Sequence, residues 1–96
     1  MALYDVGDSA RLSAAFVDIN NNAADPNTIT VKYKPPGQSV VTKVYGTDIE
    51  VVRDSAGNFH IDLLVSLAGE WQYRWEGTGT VTAAAQNSFT ATAAFF

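Results

Sequence analysis

The sequence predicts a single all-β domain over residues 1–96, folded as a sandwich of about seven short strands. Apolar and polar residues alternate along most of the chain, which is the period of a β-strand. Glycine, proline and asparagine separate the alternating segments, as expected for the turns of a sandwich. No segment of about 10–15 residues has a helical period, so alternating strands and helices are not expected.

The composition suits one hydrophobic core and excludes several kinds of site. Hydrophobic residues make up 47% of the chain and charged residues 17%, which is typical of a folded domain rather than a disordered one. The chain has no cysteine. This excludes a thiolate metal site and a cysteine nucleophile.

The strands follow from the alternation and from the turns that interrupt it. They are predicted at residues 9–18, 28–34, 39–45, 49–53, 58–65, 70–76 and 86–96. The spacing of the third and fourth suggests a hairpin, and the alanine-rich residues 80–85 have room for one helical turn. The predicted inward faces carry Ala10, Leu12, Ala14 and Phe16; Ile29, Val31 and Tyr33; Phe59, Ile61 and Leu63; Trp71, Tyr73 and Trp75; and Phe89, Ala91, Ala93 and Phe95.

The charge argues against a nucleic-acid or membrane partner. The net charge is -4 and the six basic residues are scattered, whereas phosphate binding needs clustered lysine and arginine. No run approaches the roughly 20 apolar residues of a membrane helix. Residues 1–10 contain Asp5 and Asp8 and no basic segment before an apolar one, so we expect no signal peptide.

Residues 18–22 match the beginning of a calcium-binding loop, with oxygen-bearing side chains at alternate positions. Such a loop needs glycine at its sixth position and a bidentate glutamate at its twelfth. Those positions hold Ala23 and Ile29, so we interpret the segment as a solvated loop between strands and expect no metal site.

Two further motifs raise the question of catalysis or phosphate binding. His60 and Asp62 lie two residues apart on one strand, but no nucleophile turn accompanies them, so we expect a polar pair facing solvent. Gly77 and Gly79 lack the third glycine, the lysine and the helix of a phosphate loop, which favours a bend or bulge at a strand end. We therefore expect no enzyme and no cofactor.

Trp71, Tyr73 and Trp75 share one face of the most aromatic strand. Such a row can stack sugars or bases. Since burying each ring stabilises a small domain by about 1.5–3 kcal/mol, we predict that at least two of the three lie in the core.

The segment at residues 69–79 (GEWQYRWEGTG) resembles the penultimate strand of immunoglobulin-like domains. Within it, residues 71–79, together with residues 4–8 (YDVGD), resemble the small immunoglobulin-like proteins of tailed phages and prophages. The resemblance implies an immunoglobulin-like sandwich. It also implies a structural protein of the virion, made in the bacterial host cytoplasm, with capsid or tail proteins or a second copy as partners.

Two hypotheses for function follow. In the first, the domain decorates or cements a phage particle by burying surface and by strand addition at a sheet edge. In the second, it is a binding module in which the loops at residues 20–27 and 35–39, expected at one end of the sandwich, contact a host glycan or surface protein.

The two ends of the chain are candidates for an interface with a neighbouring subunit. Leu3, Tyr4 and Phe96 are apolar, although chain ends are usually polar and frayed. Phe95 continues the inward face of the last strand, so Phe96 is expected to face outward. The alternative is that both ends fold back over their own core.

Overall fold

The protein is an all-β sandwich, as predicted. A computed structural model describes the backbone of residues 2–79 and 82–93, and the side chains of residues 4–79 and 82–93. Within these ranges it has eight strands and no helix. The strands are β1 (Ala2–Asp5), β2 (Ser9–Ala15), β3 (Thr28–Lys34), β4 (Val41–Val44), β5 (Val52–Ser55), β6 (Asn58–Leu64), β7 (Gly69–Thr78) and β8 (Ala83–Thr92). Over the same part of the chain, no helix is long and apolar enough to cross a membrane.

The strands form two sheets with the immunoglobulin-like arrangement. One sheet has the order β1-β8-β7-β3-β4 and the other has the order β2-β6-β5. The pairs β3–β7 and β7–β8 are antiparallel, as are β2–β6 and β5–β6. In the five-stranded sheet, β3, β7 and β8 correspond to the C, F and G strands of that fold. In the other sheet, β2, β6 and β5 correspond to the B, E and D strands.

The sequence analysis missed β1. This strand runs parallel to β8, and its residues Ala2 to Asp5 lie opposite Phe89 to Thr92. It is only four residues long, too short for alternation to be recognised. Residues 2–5 therefore form an edge strand of the five-stranded sheet.

The predicted hairpin between the third and fourth strands is wrong. β4 pairs with β3 in the five-stranded sheet, whereas β5 pairs with β6 in the other sheet. The connection at residues 45–51 crosses from one sheet to the other. It is anchored by Tyr45, whose N–H donates to the carbonyl of Ile29 at 3.0 Å and whose ring meets Phe59 edge-on at 5.1 Å.

The core lies between the two sheets and consists largely of the predicted inward residues. Trp71 and Trp75 are both buried, which confirms that at least two rings of that strand lie in the core, and Tyr73 packs against its margin. Trp71 stacks on Phe89 with 5.5 Å between ring centroids. The buried apolar residues are Ala10, Leu12, Phe16, Ile29, Val31, Val51, Phe59, Ile61, Leu63, Val65, Trp71, Trp75, Phe89 and Ala91. Ala93, predicted to face inward, is exposed beyond the end of β8.

The segment around Gly77 continues the strand rather than ending it. Gly77 pairs with Ile29 on one side and Ala83 on the other, inside the long hairpin of β7 and β8. A Cβ atom here would lie 2.6 Å from Pro26 Cγ, so glycine is needed because Pro26 approaches the backbone closely. Residues 83–85 are strand, not helix; Thr80 and Val81 lie outside the described residues.

Candidate functional site

The three predicted interface residues have different outcomes. Tyr4 is half-buried and meets Phe89 of its own chain edge-on, with ring centroids 5.1 Å apart. Leu3 lies in β1, but its side chain is outside the described residues, as are Phe95 and Phe96. For Tyr4, the contact within the chain matches the alternative in which the end packs on its own core.

The two loops predicted to form one binding end lie at opposite ends of the sandwich. β3 begins after Asn27 and ends before Pro35, so its whole length separates the loops. Seven strand residues span roughly 23 Å. At one end of β7 a Cβ on Gly69 would meet Pro36, and at the other end a Cβ on Gly79 would meet Asn27. A single ligand contacting both loops would therefore have to span the long axis of the sheet.

The loop that resembles a calcium site uses its carboxylate internally. Asp18 Oδ1 accepts hydrogen bonds from the backbone N–H of Asn20 at 2.8 Å and of Asn22 at 3.0 Å. Asn21 has a φ of 67°, a conformation that asparagine tolerates well. The described residues contain no cluster of three or more potential metal-ligating His, Cys, Asp or Glu side chains.

The expectation that His60 faces solvent is wrong. The side chain lies on the outer face of β6, yet the residue is only 8% exposed. Its Nδ1 is 2.7 Å from Asp54 Oδ2, and its Nε2 is 3.9 Å from Asp62 Oδ2. Asp62 in turn accepts from Arg11 Nε at 2.8 Å, and this bond holds the pKa of the Asp62 carboxyl below its usual range. The strand on one side and these neighbours on the other enclose the ring, which lines neither groove described below.

Residues 83–88 of β8 form a strand edge with no described partner on the side away from β7, and we call them the β8 edge. β1 pairs with β8 only from Phe89 to Thr92. Among the described strands, none pairs with residues 83–88 on the side away from β7. In an antiparallel pair, alternate residues direct their N–H and C=O groups away from the partner. The β8 edge therefore presents backbone donors and acceptors to a further strand, except that the N–H of Ser88 is bonded to Asn87 Oδ1 at 2.8 Å.

A groove of about 280 Å³ runs beside this edge, between β8 and β2; we call it the side groove. Its lining is largely aromatic and alanine side chains, with Asn87 and Gln86 at one end. Trp75 and Phe16, both buried, contribute to it from β7 and from the end of β2. The inward residues of β8 here, Ala83 and Ala85, are too small to close the space. The β8 edge and the side groove therefore form one continuous surface.

The free edges of β4 and β5 carry charged residues, and β5 also has a register shift, whereas the β8 edge has neither feature. Both features discourage strand addition. Typical protection is a lysine, a proline, a charge or a bulge. β4 has Lys43, and the N–H of Val44 is bonded to Asp48 Oδ2 at 2.8 Å. β5 has Arg53, Asp54 and a register shift before Ser55. The β8 edge reads Ala-Ala-Ala-Gln-Asn-Ser, with no charge and no proline.

A second groove, of about 530 Å³, crosses the outer face of the five-stranded sheet; we call it the outer groove. Lys32 and Arg74 both reach Glu76, at 3.1 Å and 2.7 Å, and these contacts lower the pKa of the Glu76 carboxyl, Arg74 contributing most. Lys34 has no ion pair among the described residues. The groove is lined by Lys32, Tyr33, Lys34, Val40, Gln72, Tyr73, Arg74, Gln86, Asn87 and Ser88.

Sequence reasoning missed both surfaces. The outer groove joins residues from three strands, and only the pairing of Lys32, Arg74 and Gln86 in register brings them together. The β8 edge did have a signal, because six uncharged residues with poor strand propensity are unusual inside a strand. Compared with known protein families, with curated proteins and with solved structures, the chain gives no match.

Proposed function

We propose that this protein is a non-enzymatic structural subunit of a larger protein assembly and that it docks through the β8 edge. The observation that carries the proposal is the six-residue strand edge that β1 leaves unpaired, lying beside a largely apolar groove. An unprotected edge next to an apolar surface favours strand addition by another protein. Backbone hydrogen bonds then supply affinity, and the groove supplies specificity.

The assembly we propose is a phage particle, with capsid or tail proteins as partners, or a second copy of the domain. This part rests on the resemblance of residues 4–8 and 71–79 to small immunoglobulin-like phage proteins. The proposed location is the virion, after synthesis in the bacterial host cytoplasm.

Quantitative mass spectrometry of purified particles tests the structural role. We expect the protein at a fixed ratio to the major capsid or tail protein, retained after washing in high salt because docking is not mainly electrostatic. Absence from particles, or a ratio that varies between preparations, would contradict the proposal. Deleting Phe96 tests the C-terminal contact: we expect the isolated domain to keep its melting temperature and to lose particle binding.

The outer groove supports a second candidate function, a binding module for a host glycan or surface protein. Three cations line it among amide and hydroxyl side chains, which suits a polar ligand with acidic groups. A glycan array with the isolated domain tests this. Binding that is saturable and weakened by Lys34→Gln, but not by Lys43→Gln outside the groove, would favour the binding module over the structural role.

A further inference from the structure

On the side of β8 that faces away from β7, residues 89–92 are covered by β1, whereas residues 83–88, the β8 edge, are not. Beside the C-terminal half, β1 supplies both a paired backbone and an inward side chain, since Tyr4 packs on Phe89. Beside residues 83–88, no described strand supplies either of them, and the side groove is open. The pairing of β1 with β8 is thus a template, within this fold, for how a second strand would complete the remaining edge.

Trp75 provides a second, independent indication that the β8 edge and the side groove lack a binding partner. It is 1% exposed, it lines the side groove, and its indole N–H has no hydrogen-bond partner among the described residues. A buried tryptophan N–H normally finds an acceptor. Trp71, the other tryptophan, donates to the carbonyl of Leu67 at 3.0 Å. An occupant of the groove that carries an oxygen beside Trp75 would supply the missing acceptor after a small shift of the ring.

The size of the groove indicates which kind of strand fits. A cavity of roughly 150 Å³ holds one benzene ring, so about 280 Å³ accommodates about two large apolar side chains. A second copy that paired through the same edge would offer Ala83, Ala85 and Asn87, which would leave most of the groove empty. The occupant is therefore a different strand with bulkier inward residues. The absence of charge on the β8 edge places no electrostatic restriction on its backbone approach.

We propose that the β8 edge accepts an extended segment of a partner protein in which two bulky apolar residues flank a hydroxyl- or amide-bearing residue at alternate positions. The two apolar side chains fill the side groove, and the polar one lies next to Ala85, beside Trp75. This inference rests on the proposed docking function and names the chemistry of its partner.

A synthetic peptide, Lys-Thr-Leu-Thr-Ser-Thr-Leu-Thr-Lys, tests the proposal with the intact protein. Its pattern reads the same in both directions, so it serves for parallel or antiparallel addition. The readout is the indole N–H resonance of each tryptophan in ¹H–¹⁵N spectra. We expect Trp75 to shift in a saturable way below about 1 mM peptide, while Trp71 stays in place because its acceptor is already present.

Three comparisons make the test specific. A peptide with serine in place of both leucines should bind at least about tenfold more weakly, since it cannot bury apolar area. Ala85→Lys, which blocks the side groove, should weaken binding by a similar factor. Thr42→Lys, at an exposed position of β4 that lines neither groove, should change it less than about twofold. The comparison of the leucine and serine peptides uses the unchanged protein, so it remains valid even if a lysine variant does not fold.

Opposite results would overturn the proposal. These are no shift of Trp75 at about 1 mM peptide, equal binding of the serine peptide, or equal weakening by the two lysine variants. A concentration-dependent dimer, measured by light scattering, that Ala85→Lys dissociates would make a second copy the occupant instead. If the peptide does not bind but the protein is found at a fixed ratio in particles, this inference is wrong and the structural role stands. If the peptide binds but the protein is absent from particles, only the structural role is wrong.

Discussion

The two tryptophans of β7 provide a matched test of what a buried indole N–H contributes. Both are buried, at 3% exposure for Trp71 and 1% for Trp75. Trp71 donates to Leu67, whereas Trp75 has no acceptor in the described part of the chain. Replacing each with phenylalanine removes the same N–H and a similar volume, so the difference between the two variants isolates the hydrogen bond.

The expected difference is large enough to measure. Trp71→Phe loses a hydrogen bond with a net contribution of about 0.5–1.5 kcal/mol, while Trp75→Phe removes an unsatisfied donor that costs about 1–3 kcal/mol. Trp71→Phe should therefore have a free energy of unfolding at least about 1.5 kcal/mol below that of Trp75→Phe. For a domain of this size, this minimum corresponds to a melting temperature about 6–12 °C lower.

Thermal melts followed by far-ultraviolet circular dichroism measure this difference without relying on tryptophan fluorescence. Ile19→Ala serves as a control, since Ile19 is fully exposed at 100% and its removal should change stability by less than about 0.5 kcal/mol. A melting temperature for Trp75→Phe equal to or below that of Trp71→Phe would refute the reasoning. It would mean that Trp75 has an acceptor in solution, or that the volume loss dominates at that position.

Three further predictions concern stability. Gly77→Ala should destabilise the domain by about 1–3 kcal/mol in urea unfolding because of the close approach of Pro26, and an unchanged midpoint would contradict this contact. The backbone N–H of Gly57 and then Arg53 lower the pKa of the Asp25 carboxyl, so the stabilisation it provides is present above about pH 4 and is lost as the pH falls through the lowered folded-state value. Asp25→Asn should therefore flatten the acid side of a plot of melting temperature against pH; an unaltered acid limb would exclude this carboxyl as a source. Adding EDTA should leave the melting temperature within about 5 °C, since Asp18 already accepts backbone hydrogen bonds, and a larger drop would indicate a bound metal.

The sequence by itself determined the fold class and most of the core. Period-two alternation assigns each residue to a face of its strand, and burying the apolar faces is the main driving force of folding. That is why Leu12, Val31, Ile61 and Trp75 could be assigned to the core without knowing which strands are neighbours. The aromatic row of β7 and the failed calcium motif were likewise readable from local residues alone.

Only the tertiary structure decided which strands pair and what lies at the margins. Alternation gives no information about partners, so the crossover between β4 and β5, the parallel pairing of β1 and the opposite positions of the two loops were not predictable from it. The contact of His60 with Asp54 of the neighbouring strand β5, at 2.7 Å, was likewise decided by strand pairing. The position of the β8 edge follows from the register of β1, in which Ala2 lies opposite Phe89, and local alternation does not specify that register.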